Sequence, residues 1–207
     1  MVLAALLLPS VAFGRSSTPA LGALSAEDQG AAEVQRMFEA GQYQQVIEIA
    51  DGSTSPEVLY SAAQSHQKLG AANAARETYG RLAARPEDDA WHFIGLSGQQ
   101  LLDNQTDAAL ESARAAADRA AGLADARYQL GLVLAKRQDW RGAAEAFDRT
   151  AELSPGYAYA YYYGGLMHYR AGRVDRMAIH FERFLKLAPK APERPEVLQI
   201  MRTVRGR

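Results

Sequence analysis

The chain has 207 residues, a formal net charge of −1 and no cysteine. A charge so close to zero gives no electrostatic reason to expect nucleic acid or an anionic membrane as a partner. The absence of cysteine excludes disulfides, thiolate nucleophiles and cysteine-ligated zinc. Abundant alanine favours helix, and no apolar run approaches the roughly 20 residues that span a bilayer. We therefore expect a helical protein that contacts a membrane only indirectly, through a partner.

The beginning of the chain differs in composition from the rest. It opens with the apolar string MVLAALLLPSVAF, and Ala12 and Gly14 are small residues at the −3 and −1 positions of a cleavage site. This pattern predicts a cleaved signal peptide over residues 1–14, a linker over residues 15–26, and a periplasmic or secreted protein. No positive residue precedes the apolar string, so the alternative is an apolar first helix in a cytoplasmic protein that keeps its N-terminus.

A period of 34 residues runs through the remainder of the chain. Pro155 and Pro189 close two stretches that match position by position, and Gly131 recurs as Gly165. Apolar residues recur at helical spacing on both sides of a short turn, and each proline ends a second helix. A fixed period in the range of 20–50 residues is typical of stacked repeats. Each unit is therefore predicted to be helix, turn, helix.

The same register extends over four units and two flanking segments. Stepping back by 34 residues from Ala143 gives Ala109 and then Ala75. The four units are predicted at residues 56–89, 90–123, 124–157 and 158–189. The second unit is the most degenerate copy. A shorter, atypical helical pair is predicted at residues 27–55 and a capping helix at residues 190–207, because the ends of a stack need caps.

These residues resemble the tetratricopeptide repeat, a family whose pattern has the same period. The third unit fits best and holds the following residues in the family's positions: Leu130, Gly131, Trp140, Ala143, Phe147 and Pro155. The fourth unit has Gly164 and Met177 where Leu and Ala are usual. The resemblance covers roughly residues 27–189. It implies an all-α fold, a right-handed α-solenoid of stacked helix-turn-helix repeats with a C-terminal capping helix.

The resemblance also implies a binding surface, because the first helices of these repeats line a concave groove where peptides bind. Carried over by register, the groove residues are Tyr60, Gln64 and Lys68 in the first unit, Trp91 and Ile94 in the second, Tyr128, Leu132 and Lys136 in the third, and Tyr159, Tyr162, Tyr169 and Arg170 in the fourth. Aromatic side chains offer large contact area at low entropic cost. The basic side chains favour a peptide with some acidic character.

The four histidines are the candidates for metal binding or acid–base chemistry. His66 and His168 occupy the same position in the first and fourth units, so stacking is expected to separate them. His92 and His180 have no histidine or carboxylate at ligand spacing in the sequence. We therefore expect no metal site, no cofactor and no catalytic residue.

The sequence thus predicts a non-enzymatic scaffold or adaptor that binds a peptide or protein partner in its concave groove, in the bacterial envelope. No nucleic acid and no small-molecule substrate is expected. The alternative is a self-associating structural or accessory subunit that uses the apolar ends of the array. A third hypothesis places catalysis in the groove, at His168 and the neighbouring tyrosines.

Overall fold

A computed structural model describes residues 26–205, with side chains described from 30 to 204. The predicted signal peptide and nearly all of the predicted linker lie outside these residues. The described residues form eleven helices and no strand: α1 (Ala26–Glu39), α2 (Tyr43–Ala50), α3 (Pro56–Lys68), α4 (Ala72–Ala83), α5 (Ala90–Leu102), α6 (Thr106–Arg119), α7 (Ala124–Lys136), α8 (Trp140–Leu153), α9 (Ala158–Arg170), α10 (Val174–Leu187) and α11 (Arg194–Arg205). The predicted all-α fold is confirmed.

The helices stack in chain order. Each helix from α1 to α11 contacts the next one, and α1 also contacts α3 while α5 also contacts α7. The pairs α3–α4, α5–α6, α7–α8 and α9–α10 lie within the four predicted units. This succession of stacked pairs confirms the solenoid. Among the described residues, none of the helices combines the length and the apolar character that a membrane span requires.

Several helix starts follow directly from local sequence. The hydroxyl of Ser55 accepts a hydrogen bond from the backbone N–H of Val58 at 3.4 Å, and Pro56 opens α3. Asp89 and Asp139 cap α5 and α8 in the same way, each accepting a backbone N–H at 2.9 Å. Such caps satisfy donors that the first helical turn leaves unpaired, and proline costs nothing at the first position because its missing N–H would be unpaired there anyway.

The turn inside each unit repeats a left-handed residue with the same period. Gly70, Asn104, Gln138 and Gly172 stand 34 residues apart, and their φ angles are 75°, 57°, 62° and 75°. The next backbone N–H returns to the carbonyl five residues before it, as from Arg173 to His168 at 2.8 Å. This is the hydrogen-bond pattern of a Schellman C-cap. Glycine adopts it without strain, whereas the Asn104 and Gln138 side chains make it costly.

Glycine also allows the two helices of a unit to approach closely. A Cβ atom at Gly131 would lie 2.8 Å from a ring carbon of Phe147, and one at Gly165 would lie 2.5 Å from a ring carbon of Phe181. Both aromatic rings are fully buried. The recurring glycine and the recurring aromatic residue of the sequence pattern are therefore two halves of one contact.

The first helical pair reaches across the array to the fourth unit. The ring of Phe38 in α1 lies 5.1 Å from that of Tyr159 in α9. The carboxylate of Glu39 accepts a hydrogen bond from the backbone N–H of Ala158, at the start of α9, at 2.8 Å. Burial raises the pKa of Glu39 to about 7, against the opposing effect of its hydrogen bonds. Residues 27–55, expected only as an end cap, thus also contact the other end of the array.

The segment after α10 completes this closure. Glu193 accepts hydrogen bonds from the Tyr159 hydroxyl at 2.7 Å and from Lys68 Nζ at 2.6 Å. Pro192 packs so tightly on Gly41 that a Cβ there would lie 2.8 Å from the proline ring. Contacts between α3, the turn after α1 and the start of α11 therefore bring both ends of the array together.

Candidate functional site

A cavity of about 460 Å³ lies among the first helices of the four units. Helices α3, α5, α7 and α9 supply most of its wall, and α1 and α4 contribute one aromatic ring each. The lining residues are Phe38, Gln64, Gln67, Lys68, Tyr79, Gly98, Leu101, Tyr128, Gln129, Leu132, Ala135, Lys136, Tyr163, Leu166 and Met167. The wall is largely apolar and aromatic, as ligand-binding cavities usually are.

Five residues of the predicted groove line this cavity: Gln64, Lys68, Tyr128, Leu132 and Lys136. The two lysines differ in their surroundings. Lys68 is held by Glu193, with its ammonium 4.9 Å from the centre of the Tyr159 ring. Lys136 is exposed at the end of α7 and forms no ion pair with any described residue. Among the lining residues, Lys136 therefore offers a cation that the protein itself does not neutralise.

Three of the predicted groove residues are buried behind the cavity wall. The Tyr60 hydroxyl donates to Gln129 Oε1 at 2.8 Å, and its ring meets that of Trp91 edge-on with centroids 5.9 Å apart. Ile94 is fully buried. Burial raises the pKa of Tyr60 far above its usual range. These side chains pack α3, α5 and α7 together, and their part in partner binding stays a prediction.

The predicted groove residues of α9 do not line the cavity either. Tyr159 is fully buried against α1, and Tyr162 is buried with its hydroxyl donating to Glu196 of α11 at 2.8 Å. Tyr169 is exposed, while the guanidinium of Arg170 lies 5.8 Å from the centre of the Trp140 ring. Their role in binding likewise stays a prediction. The closure of the array explains why α9 presents other side chains to the cavity.

The register missed part of the wall. Tyr163 lines the cavity directly after the predicted Tyr162, and its ring stacks on that of Phe147 with centroids 5.7 Å apart. Met167 lies one turn further along α9. The run of tyrosines in the sequence was a signal for this region but not for which ring faces inward. Phe38 and Tyr79 come from α1 and α4, helices that the family pattern does not assign to the groove.

A second cluster lies apart from this cavity, where the third and fourth units meet. One carboxylate oxygen of Asp148 in α8 lies 3.0 Å from His168 Nε2 in α9 and 2.9 Å from His180 Nε2 in α10. Burial by itself raises the pKa of Asp148, but the hydrogen bonds from the two histidines outweigh it and lower the pKa below its usual range. The carboxylate is therefore ionised at neutral pH.

This cluster corrects an inference from the sequence. The expectation that His180 has no histidine or carboxylate partner is wrong, because packing of three successive helices brings Asp148 and His168 to its side. These residues are not at any spacing that marks a site along one helix. Only the positions of α8, α9 and α10 relative to one another reveal the contact.

The stacked helical pairs and the cavity among their first helices define an α-solenoid repeat protein. Residues 103–158 and 128–192 match the sequence model of the tetratricopeptide repeat. Solved structures of such proteins share the fold along most of the chain. The chain belongs to the tetratricopeptide repeat family, which confirms the recognition made from the 34-residue register.

Three solved structures illustrate the likeness. TTC0263, a thermophilic tetratricopeptide repeat protein of Thermus thermophilus, is 21% identical, with 85% of this chain and 99% of that chain covered and a TM-score of 0.61. YrrB, described as having an unusual peptide-binding site, is 19% identical, with 84% and 86% covered and a TM-score of 0.51. MamA is 22% identical, with 81% and 97% covered and a TM-score of 0.50. At these identities the likeness shows the fold. No curated protein sequence matches the chain.

Proposed function

We propose that the protein is an interaction scaffold that binds a peptide or protein partner by taking an apolar side chain into the inner cavity. The observation that carries this proposal is the cavity itself, about 460 Å³ in volume and formed by helices of all four units. Repeats of this family build extended concave binding surfaces. The similar structure of YrrB is described as having a peptide-binding site. Family membership also supports a non-enzymatic role.

The wall of the cavity favours an apolar guest. Its polar side chains are already engaged within the protein: Gln67 accepts a hydrogen bond from the Tyr79 hydroxyl at 2.9 Å, and Gln129 bonds to Tyr60 and Ser97 at 2.8 and 3.0 Å. A polar guest would lose its water without gaining these partners, which costs free energy. A large aliphatic or aromatic side chain instead gains about 25 cal/mol for each Å² of apolar surface that it buries.

The charge beside the cavity favours an acidic group next to that apolar side chain. Lys136 lines the cavity, is exposed, and has no carboxylate partner among the described residues. Lys68 is neutralised by Glu193. We therefore narrow the acidic preference expected from three basic residues to a contact with Lys136. An exposed charge of this kind contributes more to orientation and association rate than to affinity.

The test uses a cavity-filling variant. Ala135 lines the cavity, whereas Ala72 is exposed at the start of α4. A phage-displayed library of random peptides is selected on the wild type, and the enriched peptides are titrated against Ala135→Phe and the control Ala72→Phe. We expect apolar-acidic peptides and at least about a tenfold loss of affinity with Ala135→Phe alone, equal to roughly 1.4 kcal/mol. Equal binding by all three proteins would refute the cavity as the binding site.

We also propose that the protein is exported to the bacterial envelope, where its partner lies. The support is the apolar string and the small residues of residues 1–14 in the sequence. N-terminal sequencing of the protein from its native source tests this proposal. A chain that begins at Arg15 agrees with export, and an intact Met1 contradicts it.

A further inference from the structure

We propose that Asp148, His168 and His180 form a binding site for a divalent transition-metal ion of the zinc class, at the junction of the third and fourth units. One ligand atom from each residue can be chosen so that all three lie within 4.8 Å of one another. Two imidazoles and a carboxylate are a donor set that suits Zn²⁺ and its neighbours in the first transition series. This site is separate from the inner cavity and does not depend on the proposed function.

The distances between the donor atoms are close to those of a metal site. Both Nε2 atoms lie 2.9–3.0 Å from the same oxygen of Asp148. With metal–ligand bonds of about 2.0–2.2 Å, donor atoms in a tetrahedral zinc site are about 3.3 Å apart. Insertion of the ion therefore needs the donors to separate by only about 0.4 Å. The ion would replace the protons through which the two imidazoles now bond to Asp148.

The two imidazole rings are held in place by burial. His168 is 1% exposed and His180 is 7% exposed, with ring centroids 4.9 Å apart. Gly164 makes room for His180, because a Cβ there would lie 2.6 Å from His180 Nδ1. The glycine at a position where the family usually has leucine thus accommodates the second imidazole. Rigid donors lose little entropy when an ion binds.

The Nδ1 atoms of both histidines are buried and have no hydrogen-bond partner among the described residues. Buried polar atoms without a partner are rare, and a bound ion or water molecule often accounts for them. In the pair, only the Nε2 atoms are engaged, and both point to one oxygen. The arrangement leaves this charged and polar group incompletely satisfied without an ion.

The repeats themselves supply a comparison that separates the trio from ordinary packing. At the three other junctions the same positions, one, two and three periods earlier, hold Arg114, Leu134 and Ala146, then Gly80, Gln100 and Ser112, then Val46, His66 and Thr78. None of these sets contains two histidines and a carboxylate. Stacking of neighbouring units therefore does not require the trio, and its donor chemistry needs a separate reason.

The site is open on one side. Asp148 and His180 border a cavity of about 220 Å³ that is also lined by Glu152, Tyr161 and Arg176. Glu152 lies one helical turn after Asp148 and is ion-paired with Arg149 at the surface. A water molecule or the Glu152 carboxylate would complete four-coordination. Three protein ligands with one open position are a known arrangement for zinc, whereas Mg²⁺ and Ca²⁺ require shells of oxygen ligands.

The experiment titrates the untagged full chain, stripped with EDTA, with ZnCl₂ in a calorimeter. We expect one ion per chain, no comparable binding of MgCl₂, and a rise in Tm in the presence of excess ZnCl₂, because a ligand that binds only the folded state stabilises it. Absence of stoichiometric Zn²⁺ binding overturns the proposal. Unchanged Tm in saturating ZnCl₂ counts against it as well.

Matched variants locate the ion. His180→Gln and Asp148→Asn should each lower Zn²⁺ affinity at least about tenfold, since even the loss of a partner of a metal ligand costs about 10–100-fold. His66→Gln, in the position that His168 occupies in the fourth unit, should leave the affinity unchanged. Equal affinity in the wild type and all three variants overturns the site, as does an equal loss with His66→Gln.

Circular dichroism shows whether each variant keeps its helices. If the substitutions unfold the chain, the visible spectrum of the Co²⁺-loaded wild type decides. Intense absorption bands of four- or five-coordinate Co²⁺ support the site. A spectrum identical to that of Co²⁺ in buffer overturns it.

Discussion

The repeated pairs and the closure between the two ends of the array are built by different kinds of contact. Inside each pair, the turn residue, the close-approach glycine and the buried aromatic ring recur with the period, as in Gly165 and Phe181. The closure instead joins Phe38 and Glu39 to Tyr159 and Ala158, residues about 120 positions apart in the chain. A repeat motif therefore determines local geometry, while the shape of the inner cavity depends on contacts that occur once.

Breaking the closure should have the largest effect on stability. Tyr159 is fully buried and bonds to Glu193, so Tyr159→Ala should lower the free energy of unfolding by about 3–5 kcal/mol, the usual cost of deleting a large buried aromatic side chain. Tyr169→Ala, on the same helix at an exposed position, is the control and should cost about 0.5 kcal/mol. Urea denaturation measures both. Similar midpoints for the two variants would show that the closure contributes little.

The pH dependence of stability should sharpen the same contact. The pKa of Glu39 is 4.5 in an unfolded chain and about 7 when folded, so its protonated form is favoured in the folded state. The stability that comes from this protonation is fully present below pH 4.5 and is lost as the pH rises through about 7. Because each pKa unit is worth about 1.4 kcal/mol, the loss is on the order of 3 kcal/mol.

Glu39→Gln keeps an acceptor for the Ala158 N–H and removes the titrating group. The variant should therefore gain stability relative to the wild type as the pH rises from 5 to 8, since only the wild type must then bury a charge. Urea denaturation of both proteins at several pH values gives the difference. A constant difference across this range would contradict the assignment of the effect to Glu39.

The smallest effect should come from the repeated turn. Gln138 adopts a left-handed φ of 62°, which costs a residue with a side chain about 1–2 kcal/mol. Gln138→Gly removes that strain but adds entropy to the unfolded chain, so we expect a net gain of about 0.5–1 kcal/mol. The opposite change, Gly172→Ala, introduces the strain at the same position of the fourth unit and should lower the thermal midpoint. If both changes act in the same direction, the turn is not the cause.

The period in the sequence was sufficient to predict much of this protein. Prolines, glycines and helical spacing act within a few residues, so they predict where each pair begins, turns and ends whatever surrounds it. The same register placed Leu132 and Lys136 beside the inner cavity. It also identified the family, since the recurring glycine and aromatic residues are the contacts that hold a pair together.

Only the tertiary structure decided the rest. Which tyrosine faces the cavity depends on how α1 and α11 pack against α9, and this packing turns Tyr163 towards the cavity while it buries Tyr159. The trio of Asp148, His168 and His180 likewise exists because three helices meet at one point. Helical periodicity describes the faces of single helices, whereas these features depend on distances between side chains of different helices. Such distances follow from the curvature of the whole stack, which no local pattern in the sequence encodes.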